Sequence, residues 1–112
     1  MIAYKVLTAE EVATLERDGA FEGSADDLRD GFIHLSTRDQ LKGTLAKHYA
    51  GREGLHLAAV DLEALDETIR WEPARDGQNF PHIHGTLPLD AVVAYGPLER
   101  TADGEIKLPV TG

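Results

Sequence analysis

Three of the five histidines fall in two short strand-like segments, Asp30-Gly-Phe-Ile-His34-Leu-Ser-Thr37 and Phe80-Pro-His82-Ile-His84-Gly85. Side chains alternate along a strand, so Phe32, His34 and Ser36 share one face while Ile33 and Leu35 share the other. The apolar pair belongs in the core, which aims His34 and Ser36 at solvent or a cleft. A histidine beside a hydroxyl, just ahead of a helix N-terminus with its unpaired N–H groups, suits the capture of a hydroxyl or a phosphate. The plainer alternative is a His34 bonded to a backbone carbonyl, with Ser36 or Thr37 acting only as a helix cap.

His82 and His84 also share a face, with Ile83 on the other side. Two histidines at i and i+2 on a strand can hold a metal, with His34 as a third ligand, and such a zinc site needs no cysteine. Zinc is the lesser reading, because the motif is short. In Thr68-Ile-Arg-Trp-Glu72, Ile69 and Trp71 share a face and Trp71 is expected to pack. Arg70 and Glu72 then project together. If they project into the cleft, Glu72 is the general-base candidate and Arg70 the anion clamp; otherwise they form a solvated cross-strand pair. His56, between Leu55 and Leu57, reads as a core histidine with its hydrogen bonds satisfied. His48 suits core-edge packing or a bond to a helix C-terminal carbonyl as well as it suits function.

The elements that must position these groups are legible in outline. Residues 2–7 read as an opening strand. Thr8-Ala-Glu-Glu11 and Thr37-Arg-Asp-Gln40 are capping boxes, and they open amphipathic helices over 9–17 and about 37–50. Ser24-Ala-Asp-Asp27 starts a shorter helical turn that closes near Gly31. Residues 55–61 are almost continuously apolar, as in a central strand buried on both faces. Residues 62–65 suit one helical turn. Further strands are expected over 68–72, 82–85, 91–95 and 105–108, with a polar loop ending in an Asp-Gly turn signal between 73 and 79 and a hairpin turn at 101–104. Strands outnumber helices without a regular βαβ alternation, which is α+β organisation.

At 112 residues the chain suits a single domain over 1–112. Its net charge of −9 disfavours nucleic acid and anionic membranes as partners. The acidic residues Asp26, Asp27 and Asp30 read as solubilising or helix-capping groups. Cysteine is absent, which removes disulfides, thiolate metal sites and cysteine nucleophiles. No apolar run approaches the ~20 residues of a membrane span, no secretory signal is visible, and the cytoplasm is the default location. Neither the dinucleotide fingerprint nor the P-loop occurs.

The order of Asp-Gly-Phe-Ile-His-Leu-Ser-Thr (30–37), Ala46-Lys-His-Tyr-Ala-Gly51, Leu-x-Leu-x-x-Val-Asp (55–61), Trp71-Glu72 and Phe80-Pro-His-Ile-His-Gly85 resembles the small bacterial DUF952 family, over roughly residues 2 to 98. The resemblance implies a compact ADP-ribosyltransferase-like fold: a split pair of β-sheets with two main short helices and a cleft for NAD or an ADP-ribose-like nucleotide. His34 followed by Ser36 resembles the ribose-binding motif of that superfamily. It implies that His34 bonds a ribose hydroxyl, that Leu35 backbone groups hold the carboxamide, and that Ser36 and Thr37 line the site. Tyr49 is the candidate for stacking on nicotinamide, with Arg70 and His84 as further ligand contacts. His34, His82 and Glu72 are the catalytic candidates for a transferase-type or phosphotransferase-type step. The other reading is a non-catalytic interaction domain, whose sign would be histidines that point apart or are packed.

Overall fold

The computed structural model describes residues 1–74 and 77–109. In chain order the elements are β1 (Ile2–Thr8), α1 (Ala9–Asp18), β2 (Ala20–Phe21), α2 (Ala25–Asp30), β3 (Ile33–His34), α3 (Arg38–His48), β4 (Leu55–Asp61), β5 (Ile69–Pro73), β6 (Asn79–Ile83), β7 (Leu87–Pro88), β8 (Val92–Pro97), β9 (Glu99–Arg100) and β10 (Ile106–Lys107). A 3-10 segment kinked at Leu65 occupies Leu62–Thr68, and a single 3-10 turn occupies Leu89–Ala91. The expected Asp-Gly turn includes Asp76, which lies outside the described residues.

All three α-helices begin at capping boxes. Thr8, Ser24 and Thr37 each accept the N–H three residues on, and Glu11, Asp27 and Gln40 reach back to the cap N–H. Two helices end where glycine enters the left-handed region, at Gly19 (φ 71°) and Gly31 (φ 88°). The second of these turns the chain out of α2 and directly into β3.

Two three-stranded antiparallel sheets carry the molecule, ordered β1-β4-β8 and β3-β6-β5. The first has β4 at its centre, as its unbroken apolar run requires. One face of this sheet presents Tyr4, Val6, Leu57 and Ala59 to Leu41 and Leu45 of α3. The other presents Ala3, Leu7, Ala58 and Val60 to α1 and to Ile33 and Ile83 of the second sheet. The second sheet therefore packs one face into the core, and the histidines lie on the other, where His34 and His84 are partly exposed and His82 is buried.

A reciprocal backbone pair splices the sheets together. Tyr4 N–H donates to Ser36 O at 2.7 Å, and Ser36 N–H donates to Tyr4 O at 2.9 Å. The two-residue pairing of β2 with β7 and the β9–β10 hairpin complete the architecture. β6 starts at Asn79, earlier than expected, so Phe80 and Pro81 lie within it. Leu35 N–H donates to Pro81 O at 3.1 Å, but proline has no N–H to return to the Leu35 carbonyl, and the β3–β6 pairing ends there. Trp71, expected to pack, is 43% exposed because β5 is the outer strand of its sheet.

Candidate functional site

The strand register builds the site. His34 pairs with His82 across β3 and β6, and His82 pairs with Arg70 across β6 and β5. Directly paired residues point to the same face, so these three form a row across three strands. Glu72, opposite Phe80, and His84, two residues beyond His82, lie on the same face.

The neighbouring Leu35–Pro81 position lies in hydrogen-bonding phase, which makes His34–His82 the closer, non-hydrogen-bonded kind of pair. Their ring centres are 5.3 Å apart, edge to face. The Phe32 ring lies nearly parallel to that of His82, with centres 4.1 Å apart and planes 17° apart, and it also contacts the rings of His34 and His84 at 4.8 and 5.2 Å. His82 is buried, whereas His34 and His84 stay partly open.

Because His34 lies in a non-hydrogen-bonded pair, its N–H points off the edge of β3. Asp27 of α2 receives it there, through Oδ1 at 3.2 Å. The same oxygen lies 2.6 Å from His34 Nδ1. The other carboxylate oxygen accepts from Ser24 N–H at 2.9 Å and from the buried Lys5 ammonium at 2.8 Å. Burial pushes the Asp27 carboxyl up, but the hydrogen bond from His34 and the charge and hydrogen bond of Lys5 outweigh it. They hold the group well below the usual carboxylate range. His34 Nε2 faces Asp30 Oδ2 at 3.1 Å, a longer and more exposed contact.

Asp27 also depends on close packing. Gly23 has φ +133°, and a Cβ there would lie 2.8 Å from Asp27 Cβ. Gly23→Ala is expected to lower stability by more than about 1 kcal/mol, read from the urea unfolding midpoint. An unchanged midpoint would show that this turn relaxes without moving Asp27.

At the other end of the face, one oxygen of Glu72 meets two imidazoles, His82 Nδ1 at 2.8 Å and His84 Nε2 at 2.7 Å. The hydrogen bond from His84, then that from His82, holds the Glu72 carboxyl below its ordinary value against a smaller opposing effect of burial. Burial pushes the His82 imidazole down, the bond to Glu72 opposes this, and the charges of His34 and His84 add to the lowering. A neutral His82 that donates from Nδ1 keeps a lone pair on Nε2. Glu72, His82 and His84 are the described residues whose donor atoms converge as a metal would require, all within 4.8 Å of one another.

Several expectations are revised. The histidines do not face one another across a cleft; they stand side by side on one sheet face, with His82 buried beside the Phe32 ring. Two surface cavities, of about 610 and 550 Å³, lie elsewhere, and no histidine lines either. His34 is not the third member of the converging group, because Glu72 takes that place. Ser36 does not join His34 on that face: it is buried at the splice between sheets, with Oγ 2.8 Å from Thr44 Oγ1. The Thr37 side chain is engaged in capping α3.

Tyr49 closes α3 on the far side of β1, with the Arg52 guanidinium carbon 5.4 Å from its ring centre. Burial, then the nearby charges of Glu11 and Asp27, raises its phenol. His56 Nδ1 is buried and, among the described residues, has no hydrogen-bond partner, contrary to the satisfied histidine expected. His48 is exposed in the last turn of α3.

Lys5, Asp27, Asp30 and Phe32 were not singled out as parts of the site. A lysine inside the otherwise apolar run Ile-Ala-Tyr-Lys-Val-Leu was the available signal, since a buried ammonium requires a carboxylate partner. No helix among the described residues is long and apolar enough to cross a membrane.

A family model described as "Protein of unknown function (DUF952)" matches residues 6–95. Among solved structures, the crystal structure of protein CC0527 from Caulobacter crescentus is similar, with a TM-score of 0.86 at 42% identity, covering 96% of this chain and 95% of that one. A crystal structure of a double mutant of the same protein gives 0.85 at 41% identity with the same coverage. Its solution structure gives 0.79 at 42%, covering 94% of this chain and 90% of the other. No curated protein matches.

Proposed function

This chain belongs to the DUF952 family, and we propose that the histidine-bearing face of β3-β6-β5 binds a nucleotide of the NAD or ADP-ribose kind on an ADP-ribosyltransferase-like split sheet. The observation that carries the reading is the row His34–His82–Arg70. Three strands at their ordinary spacing set the ends of that row about 10 Å apart, the scale of a ribose carrying a diphosphate.

His34 is the ribose anchor in this reading. Its Nδ1 is committed to buried Asp27, and its Nε2 has only the exposed Asp30 to give up in exchange for a ligand hydroxyl. At the other end of the row, Arg70 is exposed and has no ion-pair partner among the described residues, which suits a diphosphate. The Leu35 carbonyl, to which Pro81 returns no N–H, is the backbone acceptor for a carboxamide. A transferase-type step on such a ligand would draw on Glu72 and His82 as acid–base groups. The splice of two three-stranded antiparallel sheets supports the fold half of the proposal. Against a domain that has kept only its shape stand His34 and His84, which share one face and are partly exposed, although His82 between them is packed.

Titrating NAD and ADP-ribose separately into isotopically labelled protein tests the reading. The His34 ring signals are expected to shift saturably, His34→Ala to abolish the response and Arg70→Ala to weaken it. A native protein whose histidine signals ignore both ligands, or an unchanged affinity in His34→Ala, would overturn the proposal.

A further inference from the structure

We infer that Glu72, His82 and His84 form a binding site for a divalent transition ion of the zinc kind. The ion site shares Glu72 and His82 with the nucleotide reading but can be tested apart from it, because neither His34 nor Arg70 is among the ligands. The sheet supplies the placement. His82 lies in β6 and His84 just past its end, where the His84 N–H donates to Thr68 O at 2.8 Å, and Glu72 reaches both from β5, the adjacent hydrogen-bonded strand. The backbone positions of all three are therefore set before any ion arrives.

The three donor atoms lie within 4.8 Å of one another, and both imidazole nitrogens already address one carboxylate oxygen, at 2.8 and 2.7 Å. Donors around a tetrahedral zinc with bonds of about 2.1 Å stand about 3.4 Å apart. The ion would take the position now bridged by two hydrogen bonds. Small rotations about side-chain bonds accommodate it, without movement of either strand.

The surroundings suit a bound ion. Phe32 stacks on His82 and fixes the plane of that ring. The His82 side chain is 5% exposed, whereas those of Glu72 and His84 are 37% and 36% exposed. One ligand is thus anchored in the sheet while two open to solvent, and a fourth position stays accessible to water or to a ligand atom. Two imidazoles and one carboxylate form a mixed nitrogen–oxygen set suited to zinc and its cobalt substitute rather than to calcium or magnesium, which prefer all-oxygen shells. His34 stays outside the set because Asp27 and Asp30 occupy its ring nitrogens.

The test uses the full chain after treatment with chelator. Zn²⁺ is titrated by calorimetry, and Co²⁺ by its visible absorption. One ion per chain is expected, with the absorption intensity of a four-coordinate cobalt centre and perturbed ring signals for His82 and His84. His84→Ala and Glu72→Gln, both at partly exposed positions, are each expected to weaken binding at least about tenfold, while His34→Ala leaves it unchanged. No binding by the native chain, or equal affinity in the native chain, His84→Ala and Glu72→Gln, would overturn the site. Since His34→Ala abolishes nucleotide binding and spares the ion, the two readings fail separately.

Discussion

Replacing Asp27 by asparagine is expected to remove about 3–5 kcal/mol of stability, a large share of the 5–15 kcal/mol that holds a domain of this size folded. The cause is what remains behind. Lys5 is only 3% exposed, and its ammonium meets the Asp27 carboxylate at 2.8 Å. Without the carboxylate, a charge is left in the core with nothing to balance it. The cap of α2 and the two bonds to His34 are weakened as well.

Urea denaturation measures the loss, and a double variant separates its causes. Lys5→Met together with Asp27→Asn is expected to recover much of the stability, since an apolar replacement of a buried ion pair is often neutral or better. The double variant should nevertheless leave His34 less firmly held. A loss below about 1 kcal/mol in Asp27→Asn alone would place that ion pair in contact with water.

The same carboxylate sets an acid limit. Its folded value lies below its ordinary value of 3.8, so the folded chain binds this proton less readily than the unfolded chain does. The stabilisation is complete above that ordinary value and is lost as the pH falls through the folded one. Lys5 and His34 face Asp27 directly, and Asp30 faces it across the His34 ring. The native chain should therefore lose stability more steeply below about pH 4 than Asp27→Asn does. Parallel curves for the two proteins would assign the acid sensitivity to other carboxylates.

The second large effect is expected beneath the histidines. Ile83 is fully buried and pairs with Ile33 on one side and Ile69 on the other. Ile83→Ala should cost about 2–5 kcal/mol and Ile83→Val about 0.5–1.5 kcal/mol. The pair of variants also reports on the site. Ile83→Val should retain the ring signals of His82 and His84, whereas the cavity left by alanine lets β6 settle and disturbs both. If both variants unfold like the native chain, the second sheet does not take part in the cooperative unit.

How much of this was legible follows from the range of each interaction. The capping boxes at Thr8 and Thr37 and the central strand at 55–61 depend on neighbours in sequence, and they appear as expected. The two-residue strands β2 and β7 are too short to carry a period, and only their mutual pairing defines them. The shared face of His82 and His84 followed from alternation. That Glu72 would bond both depends on a register between β5 and β6 that no local pattern specifies. Asp27 was read as a solvated or capping acid. It does cap α2, but its second role depends on Lys5, which reaches it from the first strand. Ser36 went astray because the alternation of β3 does not continue past His34: the Tyr4 pairing takes the chain over to the other sheet.

That splice has a consequence for fidelity. Tyr4 grips the backbone just after His34, and Lys5, the next residue of the same strand, grips the carboxylate that orients the ring. A slip of β1 by one residue would turn Lys5 to the opposite face and present the wrong peptide to Ser36. Both grips would then fail together. His34 thus works as a readout of whether the opening strand has docked in its proper frame, and a misthreaded chain would lack the anchor as well as the stability.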